Sequence, residues 1–134
     1  MKLHKLLYFA QRECLIQTDT PMFEAQFEAW KYGPVMVEIR QCYRTDTLTY
    51  SLTDEMLAMY GDILDTVFRT YAPQDSWSLS TLTHGEYCWN KAREGYDEYE
   101  ACEMKILTDD IRKDACRVRQ RRRVLERLNL HQPS

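Results

Sequence analysis

At 134 residues, with 44% hydrophobic and 29% charged residues, the chain has the size and composition of one globular domain and excludes a disordered segment. Four glycines and four prolines argue against a turn-rich β-sandwich, and no apolar run approaches the ~20 residues of a bilayer span. The net charge of −3 is unevenly spread: residues 1–111 hold 10 Lys/Arg against 19 Asp/Glu, and residues 112–134 hold 8 against 2.

Residues 2–17 read as a helix, with Leu3, Leu6, Leu7, Ala10, Cys14 and Leu15 on one apolar face and Pro21 beyond its end. Between Met22 and Tyr32 the alternation of Phe23, Ala25, Phe27 and Ala29 fits a short extended piece. Gly33-Pro34 reads as punctuation, with Pro34 at the first position of a helix that runs to about Tyr43 and buries Val35, Ile39 and Tyr43. Thr45–Ser51 fits an edge strand or a loop.

Thr53 reads as the N-cap of a helix to about Tyr71, with Leu52 and Leu57 as its staple. Met56, Met59, Tyr60, Ile63, Leu64, Val67 and Phe68 are its inward face, and Pro73 follows its end. Trp77–Leu82 is a short helix. Thr83-His84-Gly85-Glu86 has the form of a capping box for the next helix, to about Glu94, with Leu82 and Tyr87 in staple positions. Residues 94–103 form an acidic, Tyr-containing loop. Thr108 then caps a last helix to about Leu128, with Asp109 and Asp110 in its first turn and a thin apolar face of Ile111, Ala115, Val118, Leu125 and Leu128.

Chemistry-bearing motifs are sparse. The five cysteines, Cys14, Cys42, Cys88, Cys102 and Cys116, are odd in number and form no CxxC pair, which points to reduced thiols serving as core fillers. His84 and Cys88 stand four apart with Glu86 between them, but the close downstream cysteine pair of a zinc deaminase is missing, so no metal and no cofactor are expected. GxSxG, GxGxxG and GxxxxGK[ST] are absent. MKLHKLLYFAQ lacks the separate apolar segment and cleavage site of a signal peptide, so a cytoplasmic location is expected. The run Arg117, Arg119, Arg121, Arg122, Arg123 and Arg127 offers contacts to nucleic-acid phosphates, to an acidic protein, or to the chain's own acidic body.

Three segments occur in order: Lys2-Leu3-His4-Lys5-Leu6-Leu7-Tyr8-Phe9-Ala10-Gln11, then Phe27-Glu28-Ala29-Trp30-Lys31-Tyr32-Gly33-Pro34-Val35, then Leu79-Ser80-Thr81-Leu82-Thr83-His84 with Trp89. Together they resemble the Panacea domain family, also described as SocA-like antitoxins and GepA-type phage-associated proteins. The resemblance covers roughly residues 2–94; family members carry a further helix before the first segment, and the Arg-rich helix lies outside the pattern. It implies a helical antitoxin of a bacterial or phage toxin-antitoxin system that neutralises its toxin by binding. Some relatives are described as adaptors that hand the toxin to a protease, and no catalytic activity is attached to the family.

The expectation is thus a mainly α, single-domain bundle of about five helices with a short β-hairpin or edge strand. Residues 1–107 form the Panacea-like domain, and 108–134 a basic helix and tail packed on it or extending from it. The expected role is protein binding, not catalysis. The partner is a cognate toxin or another host protein, with a protease as a further one and no membrane. A nucleic-acid-binding regulator acting through the Arg-rich helix is the competing class, as is a phage protein that inhibits a host factor. Partner-binding candidates are Trp30, Tyr32, Gly33, Pro34, His84, Trp89, Arg119, Arg122 and Arg123, with Thr53, Thr83 and Glu86 as structural caps.

Overall fold

The computed structural model describes residues 2–40 and 54–128. In chain order the elements are α1 (Lys2–Thr18), β1 (Phe27–Trp30), β2 (Gly33–Met36), α2 (helical residues 37–40), α3 (Asp54–Tyr71), α4 (Ser76–His84), α5 (Tyr87–Ala92), β3 (Lys105–Ile106) and α6 (Thr108–Arg127). The fold is mainly α, as expected, with a small antiparallel sheet in the order β2-β1-β3. The Thr45–Ser51 strand, the Thr53 cap, the Leu52–Leu57 staple, Tyr43 and Cys42 lie outside the described residues or side chains.

α1 is the central post of the bundle, and a one-faced amphipathic helix is the wrong picture of it. α6, α3, β2 and α4 each pack against it. Leu3 and Leu7 are only half-buried, while the polar residues His4, Lys5, Gln11, Arg12 and Glu13 are buried. Most of these polar groups are satisfied as burial requires. The Gln11 amide accepts from the Phe23 N–H (2.9 Å) and donates to the Phe23 carbonyl (3.0 Å), pairing the loop before β1 to the helix as a strand would. Around the post, Tyr8 meets Phe27 edge-on at 6.0 Å, and Phe9 stacks on Tyr71 at 4.1 Å.

Gly33-Pro34 opens a strand, not a helix. β1 and β2 form a hairpin with Trp30 opposite Gly33 and Ala29 opposite Pro34, closed by Lys31 and Tyr32. Gly33 supplies the turn's positive φ of 129°. Ala29 sends its N–H to the Met104 carbonyl at 2.8 Å, away from β2, so Pro34 stands where the ladder needs no amide hydrogen. Helical residues begin only at 37, and Val35 and Ile39 are buried as expected. β3, in a stretch for which the sequence alone predicts no element, pairs Ile106 with Phe27 and Lys105 with Glu28.

Helix ends depart from expectation in a consistent way, because long-range partners displace local ones. Thr83 lies inside α4, where its hydroxyl donates to the Ser80 carbonyl at 2.9 Å, so it caps nothing. Glu86 occupies the N-cap position of α5 but makes no side-chain cap bond. The Asp114 carboxylate of α6 caps α5 instead, accepting from the Tyr87 N–H (2.8 Å) and the Cys88 N–H (2.9 Å). Leu82 and Tyr87 are exposed, so they form no staple there. α4 takes its cap from Asp75, which accepts from the Ser78 N–H at 2.7 Å. α6 starts behind Leu107 without a side-chain cap, so Thr108 is its first residue and not its cap.

On α3, Ile63 and Val67 are buried and Tyr60 and Leu64 half-buried, whereas Met59 and Phe68 face outward. α6 gives Ile111, Ala115 and Val118 to the core. Its Leu125 is half-buried and Leu128 exposed. Cys14, Cys88 and Cys102 are buried thiols, and Cys116 is exposed.

Candidate partner-binding site

The hairpin tip is held by side chains from α4 and α5, one carbonyl at a time. Arg93 Nη1 donates to the Ala29 carbonyl (2.8 Å) and Trp89 Nε1 to the Trp30 carbonyl (2.9 Å). His84 Nε2 donates to the Lys31 carbonyl (3.0 Å) and Ser80 Oγ to the Tyr32 carbonyl (2.8 Å). Four successive carbonyls of the tip thereby each accept from a side chain of the later helices or of Arg93 at their end. His84 lies flat on Trp89, ring centroids 4.2 Å apart and planes 15° from parallel, while the Arg93 guanidinium covers the indole at 4.8 Å. Burial holds His84 below the ordinary imidazole range, partly offset by its bond to the Lys31 carbonyl.

The structure therefore brings Trp30, Tyr32, Gly33, Pro34, His84 and Trp89 to one place. Within it their roles differ. Gly33, His84 and Trp89 fix the tip: a Cβ on Gly33 would lie 2.8 Å from Thr83 Oγ1. Tyr32 is presented outward, 56% exposed, with Lys31 Nζ 5.0 Å from its ring. Beside the tip lies a hollow of about 400 Å³ lined by His4, Lys5, Trp30, Lys31, Tyr32, Gly33, Pro34, Val35 and Arg40. The Arg40 guanidinium covers Trp30 at 4.4 Å.

Sequence reasoning missed Arg93, Ser80, His4 and Lys5 as members of this site. Arg93 also donates to the carbonyls of Asp97 (3.0 Å), Glu98 (3.3 Å) and Glu100, so it organises the acidic connector through its backbone. The available signal was a buried-type arginine placed just before a loop of acidic residues, whose backbone needs donors.

Arg119, Arg122 and Arg123 are not part of the tip. Arg119 donates to the Leu15 (2.8 Å) and Ile16 (3.0 Å) carbonyls, capping the C-terminal turn of α1. Arg122 makes a two-pronged bond to Glu13, 2.9 Å on each oxygen, and holds that carboxyl below its usual range against the effect of burial. Arg117 approaches Asp114 (3.4 Å) and Glu86 (3.6 Å). Arg123 is exposed, as are Arg121 and Arg127. The arginines that pair thus pair with α1 and with the start of α5, not with the 94–103 connector.

His84 and Cys88 do not converge: His84 binds the Lys31 carbonyl, whereas Cys88 Sγ lies in the core 3.2 Å from the Tyr8 hydroxyl. Among the described residues no group of three or more His, Cys, Asp or Glu side chains is arranged to hold a metal ion. No described helix is long and apolar enough to cross a membrane.

No solved structure matches the chain. The Antitoxin SocA of Caulobacter vibrioides (strain NA1000 / CB15N) is 38% identical over 73 residues, which are 54% of this chain and 37% of that protein. The chain thus spans little more than a third of that curated relative. The family described as "Antitoxin SocA-like, Panacea domain" matches residues 3–90, the stretch from α1 into α5 that builds and locks the hairpin tip. With well over half of its length matched, this chain belongs to the antitoxin SocA-like, Panacea domain family.

Proposed function

We propose that this chain is an antitoxin that neutralises a partner protein by direct, non-catalytic binding, with the locked hairpin tip as its contact surface. The observation that carries this reading is the convergence of the matched segments. α1, the Gly33-Pro34 hairpin and the α4–α5 pair meet at the tip, and there they leave Tyr32 and the cation-lined hollow outward. A rigid, preorganised tip loses little entropy on binding, and exposed aromatics with cations are what protein interfaces favour. α6 serves this surface indirectly by completing the core and capping α1.

Co-expression with the product of the adjacent open reading frame tests the proposal. The wild-type chain should restore growth against a toxic neighbour, and Tyr32→Ala should lose rescue while remaining folded. Rescue by the Tyr32 variant at wild-type strength would move the contact surface elsewhere. Delivery of the partner to a protease is a finer form of the same reading. It requires the partner's half-life to shorten when this chain is present, whereas simple inhibition leaves the half-life unchanged or longer.

A further inference from the structure

Lys5 has no ion pair and no hydrogen bond with any described residue, although only 5% of its surface is exposed. Its stem packs beneath the hairpin, Cε lying 3.2 Å from where a Cβ on Gly33 would stand. The ammonium at the end of this largely buried stem has no facing carboxylate among the described residues, so an anion entering beside it would meet an uncompensated charge. Its neighbour His4 is in the same condition. His4 Nδ1 accepts from the Met36 N–H at 3.1 Å, which leaves the proton on Nε2, and that buried N–H has no acceptor. Burial first, and then the nearby positive charges of the N-terminus, Lys5 and Arg40, push His4 down to about 4.

Both residues line the hollow beside the tip, where Lys31 and Arg40 add two further cations, Trp30 and Val35 form apolar wall, and none of the described lining residues is acidic. We propose that this hollow receives a carboxylate side chain of the partner protein, held by the Lys5 ammonium and the His4 Nε2–H, with its aliphatic stem against Trp30 and Val35. This rests on the protein-binding reading above and names the chemistry of its central contact. A carboxylate is favoured over a nucleic-acid phosphate on two grounds. The donors belong to largely buried residues that line a partly apolar hollow instead of an exposed track, and residues 1–111 carry nearly twice as many acidic as basic side chains, which repel a polyanion.

The test uses the full chain, selectively labelled for NMR at lysine Cε, and four probes: N-acetyl-aspartyl-methylamide, its asparagine counterpart, inorganic phosphate and a short DNA duplex. The aspartyl probe should shift the Lys5 Cε and Trp30 indole signals saturably, and the asparaginyl probe should not. Lys5→Met should weaken the aspartyl response about tenfold or more while leaving the melting temperature unchanged or higher, because an apolar side chain of similar length replaces the largely buried lysine stem. Should that variant not fold, the wild-type comparison of aspartyl and asparaginyl probes decides alone. Equal responses to both probes, survival of the response in a folded Lys5→Met, or tighter binding of phosphate or duplex than of the aspartyl probe would each overturn the proposal. Since no toxin is present, a negative result here leaves growth rescue untouched, and a failed rescue with a positive titration removes the antitoxin reading alone.

Discussion

Glu86 faces Arg12 across the junction between α1 and the start of α5, and both side chains are buried. Burial pushes the Glu86 carboxyl up to about 7, with Arg12 opposing and Asp114 reinforcing the rise. A carboxyl raised above its ordinary 4.5 takes up a proton on folding. Its contribution to stability is full below that value and is lost as pH rises through about 7. Denaturant unfolding between pH 5 and pH 8 should therefore show a downward slope that Glu86→Gln flattens, by at most about 3 kcal/mol. A slope unchanged by the substitution would mean that Glu86 titrates normally in the folded protein.

Asp114 is expected to matter more to α5 than any residue near α5 in sequence. The helix has six residues, too few to persist without its cap. Asp114→Ala should cost about 1–2 kcal/mol and expose the Tyr87 and Cys88 amides to hydrogen exchange. Thr83→Ala, which removes a bond to the Ser80 carbonyl within α4, should leave those two amides protected. Exchange rates for the pair of variants check this directly.

Gly33→Ala should be among the most damaging small substitutions. It places a Cβ at a φ of 129° and 2.8 Å from Thr83 Oγ1, so a loss of about 2 kcal/mol or more is expected. Adding Thr83→Ala should recover the clash but not the backbone strain. Full recovery in the double variant would show that φ at this position is free to change.

Within the arginine run, thermal unfolding should divide the residues sharply. Arg122→Met strands the buried Glu13 carboxylate and should cost about 1–3 kcal/mol. Arg123→Glu, on an exposed position, should stay within about 0.5 kcal/mol. Loss of partner capture on replacing Arg119 or Arg122 would then report unfolding of the α1–α6 seam. Only Arg123 among these candidates reports on contact.

The elements were legible in the sequence where local rules decide them. Thr53–Tyr71 and Thr108–Leu128 as helices follow from periodicity and are found within a residue or two, and the short extended piece allowed between Met22 and Tyr32 is β1 at Phe27–Trp30. Gly33-Pro34 reads locally as a helix start and is in fact the opening of an edge strand, a use that the same pair also permits. What decided it was β1 alongside and Ser80, His84 and Trp89 from later helices, none of which a local window contains. Thr83-x-x-Glu86 had the pattern of a capping box but lost to two distant competitors, Asp114 for the amides and Arg12 for the carboxylate. The tip's aromatic members were visible as a cluster of matched residues. Lys5 and His4 were not, since on a helix read as amphipathic they belong to the wet side, and only α1's burial on all faces makes them donors in a hollow.

The place of α1 at the centre of the bundle also orders the chain in time. Its terminal carbonyls are capped by Arg119, more than a hundred residues later in sequence, and its Glu13 by Arg122. During synthesis the segment on which α3, α4, α6 and β2 all pack emerges long before the helix that completes its wall, and contacts of such separation form late. A nascent chain stopped short of α6 would hold α1 with its buried ionic groups bare to water, an exposed site for proteolysis. Ribosomal pausing or premature termination upstream of residue 119 should thus yield no active fragment, so that the dose of functional protein tracks finished chains alone.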